Sequence, residues 1–70
     1  MYFPRIAELR EDNDVKQVVI AKKLGIKSNT YSDYENGKIN IPSDMLVEIA
    51  DFYNVSLDYL VGRSDEMKRR

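Results

Sequence analysis

The sequence predicts an all-α domain built from five short helices. Three observations support this prediction: apolar residues recur at helical spacing, strand-like alternation never extends beyond a few residues, and helix-ending residues follow each apolar stretch. With 70 residues, the chain has room for one domain and one core. We place this domain at residues 1–62 and interpret the polar residues 63–70 as a frayed C-terminal tail or the beginning of a linker.

Local signals set the bounds of the first three helices. Pro4 begins the first, because a proline fits the first helical turn, where its missing N–H costs nothing. The second runs from about residue 16 to residue 24, and Gly25 ends it in a left-handed conformation. The third covers residues 28–35, or begins one residue earlier, and the Asn36-Gly37 turn closes it.

The last two helices follow Pro42. Ser43 is predicted to cap the fourth helix, and Ser56 is predicted to cap a short fifth helix that Gly62 ends. The fourth helix has the clearest amphipathic stripe of the chain, formed by Leu46, Ile49, Ala50 and Tyr53.

Composition excludes several classes of function. The chain has no cysteine and no histidine, which removes disulfides, thiolate zinc sites and histidine-based catalytic pairs. Carboxylates and lysines remain as possible catalysts, but a chain of 70 residues rarely builds a water-excluding cleft, so we predict no enzymatic activity. No pattern of residues indicates a cofactor or a metal. The longest apolar run, residues 18–21, is far below the ~20 residues that span a bilayer, and no signal peptide is evident. A cytoplasmic protein without a membrane partner is expected.

Residues 16–37 are the most informative segment. Two helices of about eight residues flank a short turn that contains Gly25, a geometry that sets the second helix steeply across the first. Ala21 is small enough to allow close approach, and Ile26 fills the corner between the helices. The outer face of the later helix is polar and carries Ser28, Asn29, Ser32 and Asp33.

This segment strongly resembles the Cro/repressor-type (XRE-like) helix-turn-helix family. The resemblance extends over residues 4–61 and implies a compact five-helix lambda-repressor-like domain whose helix-turn-helix is formed by helices 2 and 3. It also implies binding of operator DNA in the major groove, usually as a dimer on a near-palindrome. The matching positions are Gln17, Ala21, Leu24–Ile26, Tyr34–Lys38, Leu46, Ile49, Ala50, Tyr53 and Val55–Leu60.

The charge distribution agrees with this implication. A net charge of −1 argues against a general nucleic-acid coat. Residues 15–41 nevertheless contain five lysines against two carboxylates, whereas residues 1–14 and 42–70 each have a net charge of −2. The basic segment is the one expected to contact DNA, and the acidic remainder would limit non-specific binding.

Base readout is predicted for the polar face of the third helix, at Ser28, Asn29, Ser32 and Asp33. Asn29 can pair with adenine N6 and N7, a contact worth roughly 1–3 kcal/mol of discrimination, or it is a solvated asparagine early in a helix. Asp33 is repelled by phosphates. Three roles are open to Asp33: it accepts a hydrogen bond from a cytosine N4 amine, it holds Asn29 or a lysine in place, or it is a solvated surface carboxylate. The two serines can reach bases or phosphates.

Phosphate contacts are predicted at six positions. Gln17 and the segment after the third helix stand where the family grips the DNA backbone, whereas general solubility is the alternative role for the lysines. Lys16 occupies the family's usual Ser or Thr cap position, which costs the helix about 1 kcal/mol. The six residues are Lys16, Gln17, Lys27, Asn36, Lys38 and Asn40.

Several other residues are given structural roles. Tyr31 and Tyr34 are predicted in the core rather than stacked on bases, and Glu35 is predicted to act at the helix end rather than in catalysis. Val18 and Val19 depart from the polar residues usual in the family. We expect them to pack beneath the N-terminal segment around Tyr2 and Phe3, with a partner surface as the alternative.

The sequence thus predicts a sequence-specific transcriptional regulator, a phage, prophage or mobile-element repressor or Cro-like protein. It would bind a near-palindromic double-stranded operator as a homodimer. The alternative is a protein-interaction module with the same fold, such as an antitoxin-like or anti-repressor-targeted regulator. The acidic isoelectric point, Asp33 and the Val18–Val19 pair favour this alternative. Dimerisation is predicted through the fifth helix and its approach, at Val55, Leu57, Tyr59 and Val61.

Overall fold

A computed structural model describes residues 2–68 of the chain. It confirms the all-α prediction, because five helices and no strand occur within that range. Among these residues, none of the helices has the length and hydrophobicity needed to cross a membrane. The helices are α1 (Pro4–Asp12), α2 (Gln17–Leu24), α3 (Ser28–Glu35), α4 (Ser43–Tyr53) and α5 (Leu57–Leu60).

The helix ends follow the local signals with one exception. Pro4 is the first residue of α1, and Gly25 ends α2 with a left-handed φ of 73°. Ser56 caps α5, since its Oγ accepts the Tyr59 N–H at 3.0 Å. The prediction for Ser43 is wrong by one position: Ser43 is already helical, and the capping position belongs to Pro42 in an extended conformation.

The core lies where all five helices meet. Each helix contributes one fully buried large side chain, and the core prediction for Tyr31 is confirmed. Tyr34 is also buried, at 6% exposure. Burial of this kind supplies about 1.5–3 kcal/mol for each large aliphatic side chain. The five side chains are Ile6, Ile20, Tyr31, Ile49 and Leu60.

The turn between α2 and α3 joins these helices as predicted. The Gly25 N–H donates to the Lys22 carbonyl at 3.1 Å, and the Ile26 N–H donates to the Ala21 carbonyl at 3.0 Å. Ala21 is buried, and Ile26 packs half-buried against the core. The small side chain and the left-handed glycine therefore let α3 cross closely over α2.

Residues 63–68 return along α5, whereas the sequence suggested a frayed segment. The Ser56 N–H donates to the Met67 carbonyl at 2.9 Å, and the Ser56 Oγ donates to the Glu66 carbonyl at 3.1 Å. From α1, the Arg5 guanidinium lies 4.1 Å from the centroid of the Tyr59 ring and pairs with Asp65 at 2.6 Å. These contacts hold the described part of the tail against the domain. The linker role stays a prediction, and residues 69–70 lie outside the described range.

Candidate nucleic-acid interface

The outer face of α3 presents the residues predicted to read bases. Ser28 and Asn29 are exposed in its first turn, and Ser32 and Asp33 are half-buried one turn later. The Oδ1 of Asn29 accepts the Thr30 N–H at 3.0 Å. An amide oxygen has a second lone pair and the amide nitrogen has two N–H groups, so Asn29 keeps the groups that an adenine edge requires.

Two lysines stand at the N-termini of the two helix-turn-helix helices. Lys16 is the capping residue of α2 and Lys27 is that of α3, both exposed and neither with a side-chain capping hydrogen bond. The first N–H groups of a helix have no partner within the helix, and its dipole is positive at that end. A lysine at the N-terminus of each of these two helices adds a full positive charge, so both N-termini are favourable for phosphate.

The loop after α3 supplies the other predicted phosphate residues. Asn36, Lys38 and Asn40 are all exposed there. The Asn36 Nδ2 lies 3.4 Å from the Ser32 Oγ, and the Lys38 N–H donates to the Asp33 carbonyl at 3.0 Å. The backbone bond orders the loop next to the end of α3, so its polar side chains are positioned beside the predicted base-reading face.

Gln17 is bound within the protein. It is the first residue of α2, and its Nε2 donates to the Glu35 Oε1 at 3.0 Å. The amide nitrogen carries two N–H groups, so one is left for a phosphate oxygen. The predicted contact with DNA is compatible with this arrangement, in which the side chain is oriented by Glu35.

A buried ion pair, which the sequence interpretation missed, connects α1 to the end of α3. The Arg10 Nε donates to the Glu35 Oε2 at 2.6 Å and its Nη2 to the Oε1 at 3.2 Å. A third bond runs from the Arg10 Nη1 to the Val15 carbonyl at 3.0 Å. A signal was present, because Arg10 follows the buried Ile6 by one helical turn and therefore lies near the inner face of α1.

The pair changes the ionisation of its members. Burial opposes the charge of Glu35, but hydrogen bonds from Arg10 and Gln17 outweigh it and lower the pKa of the carboxyl below its ordinary value. The hydrogen bond to Glu35 raises the pKa of Arg10. Burial raises the pKa of Tyr53 to about 12 and that of Tyr31 further. At neutral pH Arg10 is therefore a cation, Glu35 is an anion, and the phenols of Tyr31 and Tyr53 are neutral. This charge state supports the structural role predicted for Glu35.

The expectation for Val18 and Val19 is wrong. Both are exposed, at 57% and 51%. Tyr2 lies instead against Gly37, where an added Cβ would come within 3.2 Å of the Tyr2 Cβ, and Phe3 packs against the core at the start of α1. The N-terminal segment is thus used elsewhere, and the two valines form an exposed apolar pair in the first turn of α2.

The predicted dimer residues differ in accessibility. Val55 is 4% exposed and belongs to the core, so its side chain has little surface for a second copy, contrary to the prediction. Leu57 is exposed, and Val61 is half-buried one helical turn later. Tyr59 is half-buried, and Arg5 lies over its ring. Leu57 and Val61 are therefore the predicted dimer residues with apolar surface to offer.

The fold and this face define a helix-turn-helix domain, with α2 supporting α3. A model of the family described as helix-turn-helix matches residues 6–60. The chain belongs to this XRE-type helix-turn-helix family, as the sequence resemblance implied.

Relatives of the chain have names that agree with this assignment. It is 36% identical over 66 residues to the uncharacterized HTH-type transcriptional regulator YobD of Bacillus subtilis (strain 168), covering 94% of this chain and 59% of that protein. It is 35% identical over 65 residues to the HTH-type transcriptional regulator ImmR of the same organism, covering 93% and 51%. It is 32% identical over 65 residues to the cryptic phage CTXphi transcriptional repressor RstR of Vibrio cholerae, covering 93% and 59%. The chain thus spans about half to three fifths of the length of these relatives.

Proposed function

We propose that the chain is a sequence-specific DNA-binding domain of a transcriptional regulator, a phage, prophage or mobile-element repressor or Cro-like protein. In this proposal α3 enters the major groove of a near-palindromic operator, two copies occupy the two half-sites, and the bound dimer excludes polymerase. The observation that carries the proposal is the exposed polar first turn of α3 together with exposed lysines at the N-termini of α2 and α3. Relatives named as transcriptional regulators and a phage repressor support it.

Phosphate binding positions the domain in this mechanism. One phosphate lies at the N-terminus of α2, near Lys16 and the free amide N–H of Gln17, and another lies near Lys27 at the N-terminus of α3. Lys38 and its neighbours Asn36 and Asn40 grip the backbone from the loop. These contacts carry no sequence information, but they fix the depth and angle at which α3 enters the groove.

Base readout comes from the first turn of α3. Asn29 pairs with an adenine, donating to N7 and accepting from the N6 amine. Ser28 and Ser32 add hydrogen bonds that discriminate weakly. Asp33 has two roles open to it, acceptance from a cytosine N4 amine or orientation of Asn29 or a nearby lysine.

Dimerisation sets the spacing of the operator. In the proposal, Leu57 and Val61 on the exposed side of α5 form a small apolar contact with their copies on the neighbouring half-site, with Tyr59 at its edge. A two-fold contact of this kind gives a palindromic operator, because the symmetry of the protein is repeated in the DNA.

Selection from a random duplex pool tests the proposal. The purified chain is equilibrated with the pool at about 100 mM salt, where screening is close to physiological. Enrichment of a palindrome with half-sites about 10 bp apart is the expected result. A folded protein that enriches no sequence would contradict the proposal.

Paired alanine variants then assign the contacts. Asn29→Ala should relax the preference at one base position in each half-site. Lys38→Ala should weaken all sequences alike and reduce the slope of log affinity against log salt by about one. Lys23→Ala is the matched control, because it removes the same charge from an exposed position in the last turn of α2. A uniform loss of affinity in Asn29→Ala would show that Asn29 does not read a base.

A further inference from the structure

An open groove of about 430 Å³ lies between α4, α5 and the returning tail. Val47 on α4 and Leu57 on α5 line it, and they are 45% and 42% exposed. The nearly fully buried Ala50 and Val55 form its base. Two exposed aliphatic side chains from different helices thus share one concave surface, a feature of ligand and peptide sites.

The third wall of the groove is the returning tail. It lies beside α5 because the backbone N–H and the Oγ of Ser56 donate to consecutive tail carbonyls, those of Met67 and Glu66. From the other side, Arg5 binds the Ser64 carbonyl. The groove is therefore part of the folded domain, and hydrogen bonds hold its tail wall in place.

The rim of the groove is acidic. Asp51, Asp58 and Glu66 line it, against one lysine, Lys68. All three carboxylate residues are exposed. The rim contrasts with the segment around α2 and α3, which is basic, and DNA phosphates would be repelled by it.

We propose that this groove binds a short segment of another protein in which apolar side chains are flanked by lysine or arginine. The apolar side chains cover Val47 and Leu57, and the basic side chains pair with the carboxylates of Asp58 and Glu66. Because Leu57 also belongs to the proposed dimer contact, partner binding in the groove competes with that contact. Charge complementarity selects this partner over a second copy of the chain. In a two-fold contact centred on the groove, the same acidic rim would meet itself, and like charges across an interface are costly.

The probe for the test is a fluorescein-labelled amphipathic helix of leucine, alanine and lysine, about 15 residues long so that it can fold. A second peptide replaces each lysine with glutamate. Fluorescence anisotropy should show that the full chain binds the lysine peptide in preference to the glutamate peptide. The preference should diminish as salt is raised, because both partners present exposed charges.

Matched variants locate the binding site. Val47→Ser should weaken binding of the lysine peptide by about tenfold, the effect of losing one buried aliphatic contact. Val19→Ser removes a valine of similar exposure, 51% against 45%, and should leave peptide affinity unchanged. The double variant Asp58→Asn/Glu66→Gln should weaken binding several-fold at low salt. Its control is Asp12→Asn/Glu11→Gln, which neutralises two exposed carboxylates on α1. Val47 is chosen over Leu57 because Leu57 also belongs to the predicted dimer surface.

Three results would overturn the proposal. The first is that the folded chain binds the lysine and glutamate peptides equally, or binds neither peptide. The second is equal peptide affinity of Val47→Ser and Val19→Ser. The third is a change of sedimenting mass in Val47→Ser with peptide affinity unchanged, which would make the groove a contact between copies. Operator selection is a separate measurement, so failure here is distinguishable from failure of the proposed DNA binding.

Discussion

Replacing Arg10 with methionine removes one partner of the buried ion pair and keeps most of the aliphatic volume. The variant loses two hydrogen bonds to Glu35, at 2.6 and 3.2 Å, and one to the Val15 carbonyl at 3.0 Å. Glu35, which is 7% exposed, keeps the bond from Gln17. Breaking a fully buried pair costs about 3–5 kcal/mol, and because the Arg10 side chain is 18% exposed we expect the lower end, about 3 kcal/mol. A domain of this length has a total stability of about 4–10 kcal/mol, so Arg10→Met should lose a substantial part of it.

The loss should depend on pH in a particular direction. In the parent protein the folded pKa of Glu35 is lowered, so its contribution is present above the unfolded pKa, about 4.3, and is lost as pH falls through the folded value. In Arg10→Met, burial acts without the cation, and the folded pKa of Glu35 should lie above the ordinary value. Protonation of Glu35 at low pH then removes the unpaired buried charge that destabilises the variant. The stability difference between the two proteins should therefore shrink between pH 7 and pH 4.

Urea unfolding followed by far-ultraviolet circular dichroism measures the difference at both pH values. Arg63→Met is the control, since it removes an exposed arginine and should change stability by no more than about 0.5 kcal/mol. The double variant Arg10→Met/Glu35→Leu should recover much of the loss, because no buried charge is left unpaired. A loss below about 1 kcal/mol in Arg10→Met, or a difference that is the same at both pH values, would refute the reasoning.

Three further substitutions have defined outcomes in thermal unfolding. Ser56→Ala removes the cap of α5 and the bond to the tail, so it should cost about 1–2 kcal/mol, and an unchanged melting temperature would exclude both roles. Gly25→Ala meets no atom within 4 Å but must adopt a φ of 73°, so it should cost about 1–2 kcal/mol, and stabilisation would contradict the conformational argument. Lys16→Ser supplies the missing cap of α2 and should add about 1 kcal/mol while weakening all DNA sequences alike in a binding titration. Unchanged affinity would remove Lys16 from the phosphate contacts.

The helix bounds were predictable because their causes are local. A proline, a left-handed glycine and a capping serine act within a few residues, and the structure places Pro4, Gly25 and Ser56 in those roles. The cap predicted at Ser43 was wrong by one position for an equally local reason. The ring of Pro42 fixes φ near −58°, and with ψ at 147° this residue is extended, so the helix begins only after it.

The contacts that escaped prediction join residues far apart in sequence. Arg10 and Glu35 are separated by 25 residues, and Arg5 and Asp65 by 60. The helical spacing places Arg10 near the inner face of α1, but it does not identify the distant carboxylate that Arg10 binds, because an arginine side chain can extend to solvent or follow the core surface. The preferred expectation for Val18 and Val19 was wrong for the converse reason, since an apolar side chain on a short helix is not necessarily covered.

The predicted DNA surface depends both on local sequence signals and on contacts between residues far apart in the sequence. The exposed positions of Ser28 and Asn29 follow from the helical period of α3, which the sequence carries. At the end of that helix, Glu35 binds Arg10 from α1 and Gln17 from the start of α2. One buried carboxylate thus connects the helix predicted to read bases with a side chain predicted to contact phosphate.

This connection predicts that fold stability and the proposed phosphate contact of Gln17 depend on each other. Gln17 is held by Glu35 within the folded domain, so less side-chain freedom is lost when a phosphate binds. A substitution at Glu35 that leaves the domain folded should therefore weaken every DNA sequence by a similar factor. A substitution at Asn29 should instead change which sequence is preferred. Comparing the Glu35 and Asn29 variants on one operator and one unrelated duplex separates the orientation of Gln17 from base readout by Asn29.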